Sequence, residues 1–315
     1  MAAILQEEAI QATNDDATSC KLAAVSLGYW EDPYVSYFIR SPTRKPPEIN
    51  RGYYARVKGV ESLINKFIKK VGNNCQIINL GAGFDTLFWR LQDTGHSVAN
   101  FIELDFPAVT SKKCICIQKN KNLFNRLKAG EDAAAGCTGA DLHGTGYHLL
   151  GVDLQSVDRL LEKLDQCGVQ DGLPTLLLAE CVLVYMRGEE VHRLLSCLAR
   201  RFRAALFVSY EQVNMNDRFG DMMLTNLRAR SCHLPSVAAC RDLDSQRQRF
   251  LQAGWDGAKA WDMVEVYHSL TSSERRRIER LEFLDEQELL MQLLQHYCIA
   301  VAWKSDLFAD VSIAD

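Results

Sequence analysis

Several familiar signals are missing from this sequence. It opens on "MAAILQEEAIQATNDD", with no basic start followed by an apolar core, so no secretory leader is expected. No stretch approaches the ~20 apolar residues of a membrane span. Eleven cysteines are present but no C-x-x-C pair, and several sit inside apolar runs (Cys75, Cys181, Cys298), where a free thiol packs as a small hydrophobe. A reducing, cytoplasmic setting follows as the expectation. No metal is expected, because no ligand cluster stands at zinc spacing; His143 and His233 are isolated and read as surface or structural. Charge of one sign is not in excess either: 36 basic residues face 40 acidic ones. That balance is no nucleic-acid footprint. The basic run "RRRIER" (275–280) lies in helix-like sequence and reads as a solvated face.

What remains is a chain of 315 residues, 47% hydrophobic, ample for a sizeable α/β core. Residues 1–19 are polar and are expected to be a disordered tail. "CKLAAVSLGYW" (20–30) fits an amphipathic helix, and "SPTRKPPEINRG" (41–52) a proline-punctuated loop. In 52–70, Tyr53, Val57, Val60, Leu63, Ile64 and Phe67 recur at helical spacing. Seven strands are then expected: 76–80, 97–105, 148–154, 175–185, 205–213, 263–270 and 296–304. Helical patterns such as 156–164 and 189–202 lie between the earlier ones. Mostly apolar strands alternating with helices point to a mostly parallel sheet covered on both faces. Residues 214–260 read as an inserted helical lobe over the site. The poorly patterned 115–147 reads as a surface excursion.

The first strand runs into "IINLGAGFDT" (77–86). A Gly-x-Gly turn at the carboxyl end of a buried strand is where open α/β sheets bind ligands. The third glycine of a dinucleotide fingerprint is missing, which disfavours a pyrophosphate and a nicotinamide dehydrogenase. Asp105 ends the second strand, Asp153 ends the third and Glu180 the fourth. Three acids at one sheet edge would repel a diphosphate. They suit the ribose diol, adenine amine and ammonium group of S-adenosylmethionine; taken singly, each could instead cap the helix that follows. Arg56 falls on the apolar stripe of its helix, where a guanidinium could grip a carboxylate bidentately or simply pack its stem. Glu211, Gln212 and Asn214 could line a channel or cap the next helix.

The segments "CKLAAVSLGYWEDPY" (20–34), "PEINRGYYARVKGV" (47–60), "LGAGFDTLFWRL" (80–91), "LPTLLLAECVLVYM" (173–186), "YEQVNMNDRFG" (210–220) and "LEFLDEQELL" (281–290) closely resemble the leucine carboxyl methyltransferase family. The resemblance covers about residues 20–305. It implies a class I S-adenosylmethionine-dependent methyltransferase fold, with the seven-stranded mostly parallel sheet (73–213 completed by 261–315) and a helical lid from 20–72. It also implies methylation of the C-terminal leucine of the protein phosphatase 2A catalytic subunit, leaving S-adenosylhomocysteine. By the same resemblance, Gly81 lies beside the cofactor and Asp105 at its ribose. Asp153 and Leu154 are placed near the adenine, and Glu180 near the methionine part. Lys21 and Arg56 fall near the cofactor carboxylate and the reaction centre, and Tyr185 at the substrate carboxylate. A monomer that touches neither nucleic acid nor membrane is expected. A relative that carboxymethylates a wybutosine precursor in transfer RNA is the nearest alternative. It carries an extra β-propeller, for which this sequence leaves no room after the last strand. A non-catalytic phosphatase-binding scaffold is the other.

Overall fold

A computed structural model describes residues 2–39, 43–127 and 139–313. Two long helices come first, α1 (Ala2–Ser26) and α2 (Pro47–Val71). Strands and helices then alternate: β1 (Gln76–Leu80), α3 (Leu87–Asp93), β2 (Asn100–Asp105), α4 (Pro107–Lys119), α5 (Lys121–Phe124), β3 (Leu142–Gly144), β4 (Tyr147–Gly151), α6 (Val157–Gln166), β5 (Thr175–Glu180), α7 (Gly188–Arg201) and β6 (Ala205–Gln212). The last part holds α8 (Arg218–Ala229), α9 (Leu243–Gln252), β7 (Gly257–Asp262), α10 (Met263–Ser269), α11 (Ser272–Glu279), α12 (Gln287–Gln295) and β8 (Tyr297–Lys304). No described helix is long and apolar enough to cross a membrane.

The strands form one sheet in the order β3-β4-β2-β1-β5-β6-β8-β7. Its centre, from β4 to β6, is parallel, while β8 runs antiparallel to both β6 and β7. Side chains alternate between the two faces of a strand, and here both faces are dry. Ile77, Phe101, Leu176, Leu206 and Val208 point to the face covered by α2, α3, α4, α10 and α12. Ile78, Ile102, Leu177, Ala179 and Phe207 point to the face covered by α6, α7 and α9. This is why the central strands read as unbroken apolar runs rather than as alternating ones.

The class I methyltransferase sheet expected from the sequence is present, with four differences of detail. There are eight strands, because β3 adds an antiparallel arm to the β4 edge. Segment 263–270, expected to be a strand, is helix α10. Asp262 caps its start and Glu265 reaches back, a reciprocal capping box, and Met263, Val266 and Tyr267 then face the core at helical spacing. The strand beside β8 is instead "GAKAWD" (257–262), poor in β-formers, where any side chain at Gly257 would run into the Trp303 ring. The supposed lobe 214–260 therefore includes most of a core strand. Finally, residues 2–19, expected to be a tail, are continuous with 20–26 in α1, a run free of proline and glycine. Of the 115–147 excursion, residues 128–138 lie outside the described residues, and the rest supplies the end of α4, α5 and the β3–β4 arm.

A buried ion pair interrupts the apolar core. Glu103 on β2 and Lys113 on α4 are both fully buried, with Nζ 2.6 Å from Oε2. Tyr147 donates to the same oxygen at 2.6 Å, and Lys113 also donates to the Asp85 carbonyl at 2.8 Å. Burial pushes the Glu103 carboxyl up, with Lys113 pulling the other way. Lys113→Met would strand that carboxylate, so a stability loss of about 3–5 kcal/mol is expected from the urea midpoint. Lys113→Met/Glu103→Leu should restore most of it, and an equal loss in both variants would show that the charge pair is not the cause.

Candidate active site

The carboxyl ends of β1, β2, β4, β5 and β6 open into a cavity of about 600 Å³ roofed by α1, α2 and α8. Backbone geometry shapes its floor. Gly81 and Gly83 both have positive φ, 66° and 52°. A Cβ at Gly81 would strike Val182, and one at Gly83 would strike the Asn14 side chain. Both positions therefore need glycine for conformation and for space.

Asp105 fixes the turn. Its Oδ2 accepts from the Gly83 N–H at 2.7 Å and its Oδ1 from the Phe106 N–H at 2.7 Å. Burial pushes its carboxyl up, against the pull of those two donors. Two accepted bonds leave lone pairs on both oxygens for further hydroxyl donors. Asp153 makes a local turn ahead of α6, accepting from the Gln155 N–H at 2.9 Å. Its neighbour Leu154 lies beside it on the wall.

Charges along the rest of the wall alternate in sign. Lys21 on α1 approaches Asp85 to 3.6 Å, and Arg90 to 3.8 Å from the other side. Burial alone would raise the Asp85 carboxyl. Lys21, Arg90 and Lys113, with the Thr86 N–H, outweigh it and hold the group well below the usual carboxylate range. The stabilisation is thus fully present at neutral pH and is lost only on strong acidification, as pH falls through that depressed value. Arg56, 8% exposed, donates from Nε to Glu180 Oε2 at 2.6 Å. Its guanidinium lies over the Tyr210 ring at 4.6 Å and near Tyr53 at 5.6 Å. Burial disfavours its charge, but Glu180 more than compensates, so Arg56 stays cationic. With Nε committed to Glu180, the Nη edge is what remains for a second anion. Tyr185 sits in a 3-10 turn on the same wall, its hydroxyl pushed up by burial.

All eight residues singled out from the sequence (Lys21, Arg56, Gly81, Asp105, Asp153, Leu154, Glu180 and Tyr185) line this one cavity. Of the other candidates, only Gln212 does. Glu211 is fully buried behind the wall. There its Oε1 accepts from the Val182 and Leu183 N–H groups at 2.9 and 2.8 Å, holding the bend at Cys181, which has φ 56°. Asn214 turns away to donate to the Gln295 carbonyl. Sequence reasoning missed Asn14, whose Oδ1 accepts from the Phe84 N–H at 2.8 Å, because the segment carrying it looked like a tail. It also missed Tyr210 and Tyr297, stacked 5.3 Å apart on the wall. Both sit inside strand-like runs, where an aromatic reads as core.

Gly83→Ala tests the contact between the turn and α1. A methyl group there meets Asn14, in a conformation that costs an L-residue about 1 kcal/mol. Faster amide exchange at Phe84 and along 10–18 is expected, with the sheet core unchanged. Unaltered exchange over 10–18 would show that α1 does not depend on the turn.

Comparison with known proteins bears on this cavity directly. The family model described as leucine carboxyl methyltransferase matches residues 9–199, which span the glycine turn and the eight residues singled out from the sequence. Leucine carboxyl methyltransferase 1 of Bos taurus is 49% identical over 301 residues, 95% of this chain and 90% of that one. Its counterpart in Caenorhabditis elegans is 39% identical, over 95% and 92%. The human tRNA wybutosine-synthesizing protein 4 is 37% identical over 95% of this chain but only 44% of its own length. The family model spans more than half of the chain, and identity with the leucine carboxyl methyltransferases is sustained over about nine-tenths of each sequence: the chain belongs to the leucine carboxyl methyltransferase family and is a methyltransferase.

Proposed function

We propose that this protein transfers the methyl group of S-adenosylmethionine to the α-carboxylate of the C-terminal leucine of the protein phosphatase 2A catalytic subunit. The observation that carries the reading is Arg56: a buried, cationic guanidinium, held from behind by Glu180 and stacked on Tyr210, beside a glycine turn that Asp105 braces. The residues present fit the donor. Asp105 keeps acceptor capacity for a diol, Leu154 offers an apolar wall for a base, and the free oxygen of Glu180 suits an ammonium. Lys21 brings positive charge for the donor's carboxylate.

Bound there, S-adenosylmethionine supplies an electrophilic methyl carried on sulfur. A C-terminal carboxylate, with an ordinary pKa of about 3.3–3.7, is already ionised at neutral pH. No side chain therefore has to act as a base, and the reading needs no metal. The work left to the protein is to align the two reactants at ~3–3.5 Å and keep bulk water out. Arg56 can hold the carboxylate through its Nη edge while Glu180 tempers its charge, which favours orientation without quenching the nucleophile. Tyr185 can donate to the same carboxylate. Identity of 49% with the bovine leucine enzyme, against 37% with the transfer RNA protein, supports leucine over the nucleic-acid substrate.

Labelled methyl from S-adenosylmethionine should appear as a base-labile ester on the intact phosphatase subunit and not on one lacking its terminal leucine. Label on neither, with the donor still bound, would favour a transfer RNA substrate or a scaffold. Arg56→Lys keeps the charge but loses the planar fork. It is expected to lower kcat about 100-fold while donor affinity changes little. Asp105→Ala leaves two N–H groups unpaired and should weaken donor binding in calorimetry by about 1–3 kcal/mol. Unchanged affinity would exclude the ribose role.

A further inference from the structure

His143 and His148 are register partners across the β3–β4 arm, and their Nδ1 atoms lie 2.8 Å apart. Cys167, the residue capping the end of α6, completes the group: one donor atom from each residue lies within 4.8 Å of the others. Both rings are half-buried and the thiol is buried, so the group is sheltered yet reachable. Its position is fixed from outside, since the Cys167 carbonyl accepts from Asn100 at 3.0 Å. None of the three lines the active-site cavity, and Asn100 begins β2 whereas Asp105 ends it. The cluster therefore sits at the opposite end of the strands. The sequence reading took His143 as isolated and overlooked His148, although the spacing His-x4-His falls within the range used by zinc ligands.

We propose that His143, His148 and Cys167 form a binding site for a zinc-class divalent transition metal, with a fourth position open to solvent or an incoming ligand. The donor set decides the class. Two imidazoles and a thiolate suit zinc or cobalt, whereas calcium and magnesium require oxygen ligands. The geometry is close. Bonds of about 2.0–2.3 Å in a tetrahedron place donors about 3.3–3.7 Å apart, so the rings open slightly and the thiol closes in. Asp141 and Lys163 are the charged neighbours of the Cys167 thiol. Asp141 and Lys163 are themselves paired, so no free cation opposes the metal from that side. Loading proceeds with balance: the thiol proton leaves to solvent, and the proton shared between the two Nδ1 atoms moves to an Nε2. A bound metal pins the β3–β4 arm to the end of α6. The inference is independent of the methyl-transfer reading.

The test uses the full chain, stripped with a chelator and titrated with Co2+ and then Zn2+. One equivalent of Co2+ should give a thiolate-to-cobalt charge-transfer band, displaced by Zn2+, and Zn2+ should raise the melting temperature. Cys167→Ser should abolish the band, and His148→Ala should weaken binding by more than about 100-fold, since even outer partners of ligands matter 10–100-fold. His143→Ala serves as the deciding variant if either of these fails to fold. Absence of saturable binding overturns the proposal, as does a band that survives all three substitutions, which would place the metal on other thiols.

Discussion

A parallel sheet covered on both faces has no wet side, and that constraint organises this molecule. Polar side chains can stand only where the strands end, so the carboxylates Asp105, Asp153 and Glu180 gather at one rim. The site is thus a by-product of how the core excludes water. Glu103 shows the cost of breaking the rule. Placed in mid-strand, it is tolerated only with a buried lysine and a tyrosine hydroxyl directed at it. That lysine also holds the Asp85 carbonyl, so this buried ion pair braces the segment leading out of the glycine turn.

Around the cavity each charge is held by a group of opposite sign or by backbone donors. Asp85 sits between Lys21 and Arg90, Arg56 leans on Glu180, and Asp105 is tied to two N–H groups. Fixing charges before a ligand arrives removes the reorganisation that mobile water would impose during a reaction. Glu211 extends this support one layer back. It neither lines the cavity nor carries out chemistry, yet it satisfies the backbone at the left-handed Cys181 from which the Tyr185 turn begins.

The parts that could be read from sequence are those in which local and global preferences agree. The strands β1, β2, β5 and β6, the glycine turn and the acids after it were legible because burial on both faces leaves an apolar run that ends abruptly. The stripe in α2 carried Arg56 inward with Val57, Val60 and Leu63. Where the two preferences conflict, reading failed. In 263–270 the residues Val264, Val266 and Tyr267 favour a strand, but the capping box at Asp262 and packing against α2 win. In 257–262 alanine and lysine hide a strand whose place is set by Trp303. The polar residues of α1 looked like a solvated tail, because a helix facing a ligand cavity carries polar groups on its inner side.

Helix α1 lays Asn14 on the Phe84 N–H and contributes Gln11, Ala17 and Lys21 to the cavity wall. A wall segment of this kind shares its free energy with whatever occupies the cavity. By linkage, an occupant that favours the docked helix steadies it, and anything that frays the helix weakens the occupant by the same factor. By the same linkage, a substitution on the solvent side of α1 that alters its docking would alter affinity without touching a group that lines the cavity.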